Sequence, residues 1–181
     1  MGGHDAEFTQ NAAQEFRNAQ RDSRLAVEPL LDEDLYLVGQ SSLIGRSSGP
    51  IAFSSIPQRS VTPLPASRAI IQTQILRNQI IPSETLEVDS LSALRMALEA
   101  GLGCAILSRA TVLADLAAER YHARRIVDPP MTRSLGLISL AERPQTKAFV
   151  EVRKTVVEVV RAAINEKRWP AKGDGRGRTA N

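Results

Sequence analysis

The sequence predicts an α/β protein built on an open sheet, and three observations carry that expectation. Leu86 to Leu107 reads without a gap as strand, capped helix, glycine turn and buried strand. Strand-like and helix-like apolar patterns alternate on either side of it, as packed α/β layers require. The chain then closes on a long amphipathic stretch from about Thr146 to Glu166.

The elements follow in order. Residues 1–24 are polar, with Phe8, Ala12, Phe16 and Ala19 at helical spacing, and predict a weak helix or a disordered lead. Val27 to Val38 carries Leu30, Leu31, Leu35, Leu37 and Val38 around the acidic turn Asp32–Asp34, which predicts two strand fragments or one bent strand. From Gly39 to Pro65 the composition shifts to Gly, Ser and Pro, the mark of a loop or linker. Ser67 can cap a helix bearing Ile70, Ile71, Ile75 and Leu76, which stops before Pro82 because a residue preceding proline avoids helical geometry.

Leu86 to Val88 is the next strand. Asp89 or Ser90 can accept from the free N–H groups of a following helix, whose apolar stripe is Leu91, Leu94, Ala97 and Leu98. Gly101 supplies a left-handed C-terminal residue, and Gly103 turns the chain into Cys104–Leu107, apolar enough for a strand covered on both faces. A right-handed crossover with parallel strands is the expected connection. Ser108 can cap a helix with Val112, Leu113, Leu116 and Ala117; Tyr121 to Val127 reads as a strand and Asp128–Pro129–Pro130 as a turn. Leu135 to Leu140 gives another strand. Phe149, Val152, Val156, Val160 and Ala163 then recur at helical steps, and Pro170 with the glycines beyond it ends order.

Composition narrows the function classes. The 181 residues are 43% hydrophobic with a formal charge of +3, which fits a globular domain with a sizeable core. Basic residues cluster only at Lys167, Arg168, Lys172, Arg176 and Arg178, a tail of the kind that is usually solvated, and 4% aromatic residues are too few for a nucleic-acid stacking platform. With one cysteine, no signal-like leader and no apolar run of membrane-spanning length, the expected location is the cytoplasm, away from any membrane.

Catalytic motifs fail on inspection. Gly101-Leu102-Gly103 invites a dinucleotide reading, but the third glycine would fall at Ile106 and the glycines follow a helix rather than a strand. Gly39 to Ser47 resembles a phosphate loop, yet Arg46 stands where lysine belongs and Gly49-Pro50 prevents the following helix. His4, Cys104 and His122 are too scattered for a metal site, and no Gly-x-Ser-x-Gly elbow is present. The chain is therefore expected not to be an enzyme and to need no metal or cofactor. Ser67 stands apart. Its hydroxyl and the N–H groups of Arg68 and Ala69 can hold an anion to which Arg68 adds a guanidinium, or they can be an ordinary cap beside a solvated arginine.

Taken in order, Arg24 to Gly39, Leu64-Pro65-Ala66-Ser67, Leu86 to Leu91, Ala100 to Gly103, Ile126 to Pro130 and Thr132 to Leu135 resemble the effector-binding domain of LysR-type transcriptional regulators, over about Asn18 to Arg161. The resemblance implies a type II periplasmic-binding-protein fold: two α/β lobes, two crossover strands near Leu35–Gly39 and Leu135–Leu140, and a small-molecule effector in the cleft. It implies an effector loop at Pro65, Ala66, Ser67 and Arg68, with Leu102 and Gly103 in the same cleft wall.

The family's winged helix-turn-helix, linker helix and opening βαβ do not precede Asn18, so the chain resembles a regulator truncated at its N-terminus. On that reading residues 1–17 are a non-matching lead, 18–39 and 141–166 a partial first lobe, 40–140 a complete second lobe, and 167–181 a basic disordered tail. Much of the Phe149–Ala163 face is then left uncovered. The expected function is an anionic-effector-binding module that makes no direct DNA contact and pairs with itself or an intact regulator. The alternatives are a free-standing small-molecule binding protein and a non-functional remnant.

Overall fold

The computed structural model describes residues 19–57, 71, 75–77, 88, 90–142 and 146–171. The chain divides into two units. Unit 1 contains Asp34–Arg133, and unit 2 contains the described residues up to Glu33 and those from Ser134 onward. Two strands, β1 (Leu25–Gly39) and β5 (Thr132–Leu140), carry the chain across that division, a little upstream of the expected lobe boundaries. β5 pairs with β1. The pairing is antiparallel, because Leu35 N–H donates to Met131 O and Ala141 N–H to Arg24 O, so one number rises as the other falls.

In unit 1 the sheet order is β2 (Ile51–Ala52), β4 (His122–Val127), β1, β3 (Ala105–Ser108). β1 runs antiparallel to both β3 and β4, and β2 parallel to β4. Of the first strand of the expected βαβ crossover, Leu86–Val88, only Val88 is described, and it lies in no strand. The second strand, β3, has antiparallel β1 as its neighbour.

The period-2 alternation of β1 builds two cores, one per sheet face. Leu35 and Leu37 join Ile51, Phe53, Ile71, Cys104, Ile106, Ile126 and Met131 on one face. Val38 joins Leu94, Leu98, Ala105, Leu107, Val112 and Tyr121 on the other, with Tyr36, Leu116 and Ala123 packed beside them. β3 is buried along its whole length, as its unbroken apolar run predicts. Of the helix predicted after Ser67, Ile71 and Ile75–Arg77 are described as helical; Ile71 is buried, whereas Leu76 is exposed and falls off the expected stripe.

The Leu91–Glu99 helix, with α1 (Ser41–Ile44) before it making it α2, is closed at both ends by the expected chemistry. Ser90 Oγ accepts from Ala93 N–H at 3.1 Å. At the other end Gly101 has φ +67°, its N–H reaches Leu98 O and the Leu102 N–H reaches Ala97 O, the paired bonds of a Schellman cap. Leu94 and Leu98 point into the second core.

Of the two alternatives for the Asp32–Asp34 region the single strand holds, since β1 runs unbroken for 15 residues. Two expectations need correction. The Gly39–Pro65 linker contains α1, β2 and a 3-10 turn at Phe53–Ser55, with Ile44, Ile51 and Phe53 buried. Ser108 does not cap a helix with its side chain; a 3-10 turn at Arg109–Val112 intervenes before α3 (Leu113–Ala117).

Unit 2 is thinner. α4 (Lys147–Asn165) starts where Thr146 Oγ1 accepts from Phe149 N–H at 3.2 Å, and Arg153 ties it to Glu28 of β1 at 2.6 Å. The apolar residues buried among its described part are Ala19, Leu31 and Ala163. Phe149 and Val152 are exposed, so the early turns of α4 present the uncovered apolar face the sequence predicts. The tail departs from expectation at Trp169. Its N–H bonds Ala163 O, and its indole Nε1–H donates to the buried Glu33 carboxylate at 3.0 Å.

Cys104 packs against Gly39 so closely that a Cβ on Gly39 would stand 3.0 Å from the Cys104 Cβ. Burial pushes its thiol from an ordinary 9.0 up to about 11. Near pH 8 its thiolate fraction is therefore about 100-fold below that of an ordinary cysteine. The folded chain is expected to resist thiol-reactive reagents and to react stoichiometrically once unfolded in guanidinium; rapid labelling of the native chain would contradict the burial.

Candidate functional site

The end of β3 carries the polar cluster that merits attention. Ser108 pairs with Leu35 and its side chain is buried, a position where a hydroxyl must find partners. It finds two: Thr111 Oγ1 at 2.9 Å, within the 3-10 turn that begins at Arg109, and Arg133 Nη2 at 3.3 Å, just inside β5. Two hydroxyls and a guanidinium on three elements form a site that can bind and orient a carboxylate or similar anion. The sequence shows Ser108 only as a potential helix cap, and it gives no sign that Arg133, 25 residues away, reaches it.

The sequence-predicted site residues fare differently from one another. Pro65, Ala66, Ser67 and Arg68 lie outside the described residues. Leu102 and Gly103 are described, at the opposite end of β3 from Ser108, beside the Val38–Gly39 end of β1. Leu102 donates its N–H to the cap of α2 and leaves its side chain exposed, and the face of Gly101 looks onto Gln40, whose side-chain amide holds Glu99 O. His122 pairs with Gly39 inside the sheet.

Among the described residues there is no group of three or more His, Cys, Asp or Glu side chains placed for a metal, and no helix long and apolar enough to cross a membrane.

Comparison with known proteins gives this geometry its context. The sequence model of the LysR substrate binding domain matches residues 16–161. The chain belongs to that family. It is 28% identical over 133 residues to the nitrogen assimilation regulatory protein Nac of Klebsiella aerogenes, covering 72% of this chain and 44% of Nac. The chain thus spans less than half the length of the curated relatives it matches.

Among solved structures, the regulatory domain of CcmR from Synechocystis PCC6803, in complex with 2-PG, superposes with a TM-score of 0.65 at 19% identity, over 83% of this chain and 80% of that one. The effector-binding domain of QuiR, in complex with shikimate, gives 0.60 at 15% identity, over 79% and 68%. These likenesses show the fold: the type II periplasmic-binding-protein-like architecture of LysR effector-binding domains, in which β1 and β5 are the strands shared by the two units. The LysR domain fold and the open α/β sheet anticipated from the sequence are therefore present.

Proposed function

We propose that this LysR domain is the sensing module of a transcriptional regulator and that unit 1 binds a small anionic effector. The family match over residues 16–161 carries the reading, and the Ser108–Thr111–Arg133 cluster supports its anionic part. The loop Pro65–Arg68 supplies further contacts, with the Ser67 hydroxyl and the Arg68 guanidinium as the specific donors. For Leu102 and Gly103 we favour a structural role, since the α2 cap consumes the Leu102 amide. Residues 40–140 act as the sensing lobe, with 18–39 and 141–166 in its companion. The chain works in the cytoplasm and pairs with a second copy of itself or with another regulator of the family.

Thermal melts against a panel of small carboxylates and aromatic acids test the reading. A ligand at 100 times its Kd adds about 2.7 kcal/mol to the folded state, which raises Tm by roughly 5–11 °C in a domain of this size. Ser67→Ala, Arg68→Ala and Arg133→Ala are each expected to remove most of that shift. A panel without any shift would favour a remnant without ligand. A shift with no change in a partner regulator's promoter occupancy would favour a free-standing binding protein.

A further inference from the structure

A second site is built on the other face of the unit 1 sheet. The side chains of Leu35, Leu37 and Ile126 define the first core, so Tyr36 and Arg125, their alternate neighbours, point the opposite way, and the register sets those two residues directly across from each other. Over them opens a cavity of about 510 Å³, whose wall also includes Arg46, Ser47, Arg109 and Tyr121. None of the Ser108–Thr111–Arg133 cluster lines it.

The electrostatics of that wall are one-sided. Arg46, Arg109 and Arg125 come from three separate elements, and no carboxylate lines the cavity. Arg125 has Asp34 at 3.7 Å. Among the described residues Arg46 and Arg109 make no ion pair, and the nearby acids are already engaged: Asp115 with Arg95 and Arg120, Glu99 with Arg120. Gathering three guanidinium groups costs repulsion that a bound anion relieves.

The loop bearing Arg46 and Ser47 is also held in place. Arg124, on the sheet face away from the cavity, donates to Ile44 O, Gly49 O and Pro50 O at 3.1, 3.1 and 2.8 Å. Ser47 Oγ accepts from Gly49 N–H. A loop fixed from behind presents its outward side chains at reduced entropic cost.

We propose that this cavity binds a phosphorylated small molecule, with the phosphate held by Arg46, Arg109 and Arg125 and the organic body against the Tyr36 ring. Guanidinium forks on several sides and a serine hydroxyl match a tetrahedral dianion better than a planar carboxylate. The site shares no lining residue with the Ser108–Thr111–Arg133 cluster, so the two stand or fall independently.

Titration calorimetry of the full chain with inorganic pyrophosphate, at ionic strength matched with chloride, tests this. Saturable one-to-one binding is expected, weakened about 10-fold or more by Arg109→Ala and by Arg46→Ala. Both arginines are solvent-exposed, so the variants are expected to keep the native circular dichroism and melting point. Absence of saturable binding, equal affinity in the arginine variants, or citrate binding as tightly as pyrophosphate would each overturn the proposal.

Discussion

Replacing Trp169 with alanine is expected to destabilise unit 2 by about 2–4 kcal/mol, close to the range for a large aromatic truncation but reduced because the ring is only half-buried. Two losses combine. The indole packing goes, and the Glu33 carboxylate, 1% exposed, loses a hydrogen-bond donor. Trp169→Phe separates them: it keeps most of the packing and should cost about 1–3 kcal/mol through the lost donor alone. Removing residues 167–181 should reproduce the alanine result. Far-UV circular dichroism melts would register a fall of roughly 4–16 °C for the alanine variant. Trp169 is the sole tryptophan of the sequence, so fluorescence of the unaltered chain follows unit 2 directly. An unchanged melting point in the truncated chain would show that the Glu33 contact contributes nothing.

Arg124→Ala is expected to cost about 2–4 kcal/mol, below the sum of three separate charge-assisted bonds because bonds from one group are not additive. The guanidinium serves three carbonyls, those of Ile44, Gly49 and Pro50, and so fixes the segment between α1 and β2. Arg124→Lys should recover less than half of the loss, since an ammonium offers no planar fork to span three acceptors. Hydrogen exchange gives the local readout. Amides of residues 45–49 should exchange faster in both variants while those of β3 stay protected. Protection unchanged at 45–49 would mean that the loop holds itself. The same variant is expected to weaken pyrophosphate binding in the Arg46 cavity, because the loop that presents Arg46 would no longer be pinned.

What the sequence could tell is clearest at α2 and α4. Ser90 bonds an amide three residues on, Gly101 and Leu102 bond carbonyls three and five residues back, and Thr146 caps α4 by the same short reach. These partners are fixed by spacing along the chain, so residue type and position suffice to predict them. The buried run of β3 is equally local, because a strand covered on both faces has no polar alternation to show.

The sequence by itself thus determined the caps of α2 and α4 and the buried run of β3, all of which rest on residue type, periodicity and contacts within a few residues. Tertiary structure decided the rest. The Asp32–Asp34 run reads equally as a break or as one strand until the fold makes β1 continuous, with Trp169, 136 residues away, donating to the buried Glu33. Ser108 looks like a cap until β5 brings Arg133 to it. Arg46, Arg109 and Arg125 look like scattered surface charge until the pairing of β2 with β4, and of β4 with β1, closes one cavity around them. In each case the partner is chosen by strand register and by the folded path of distant segments, and no local pattern of side chains encodes that choice.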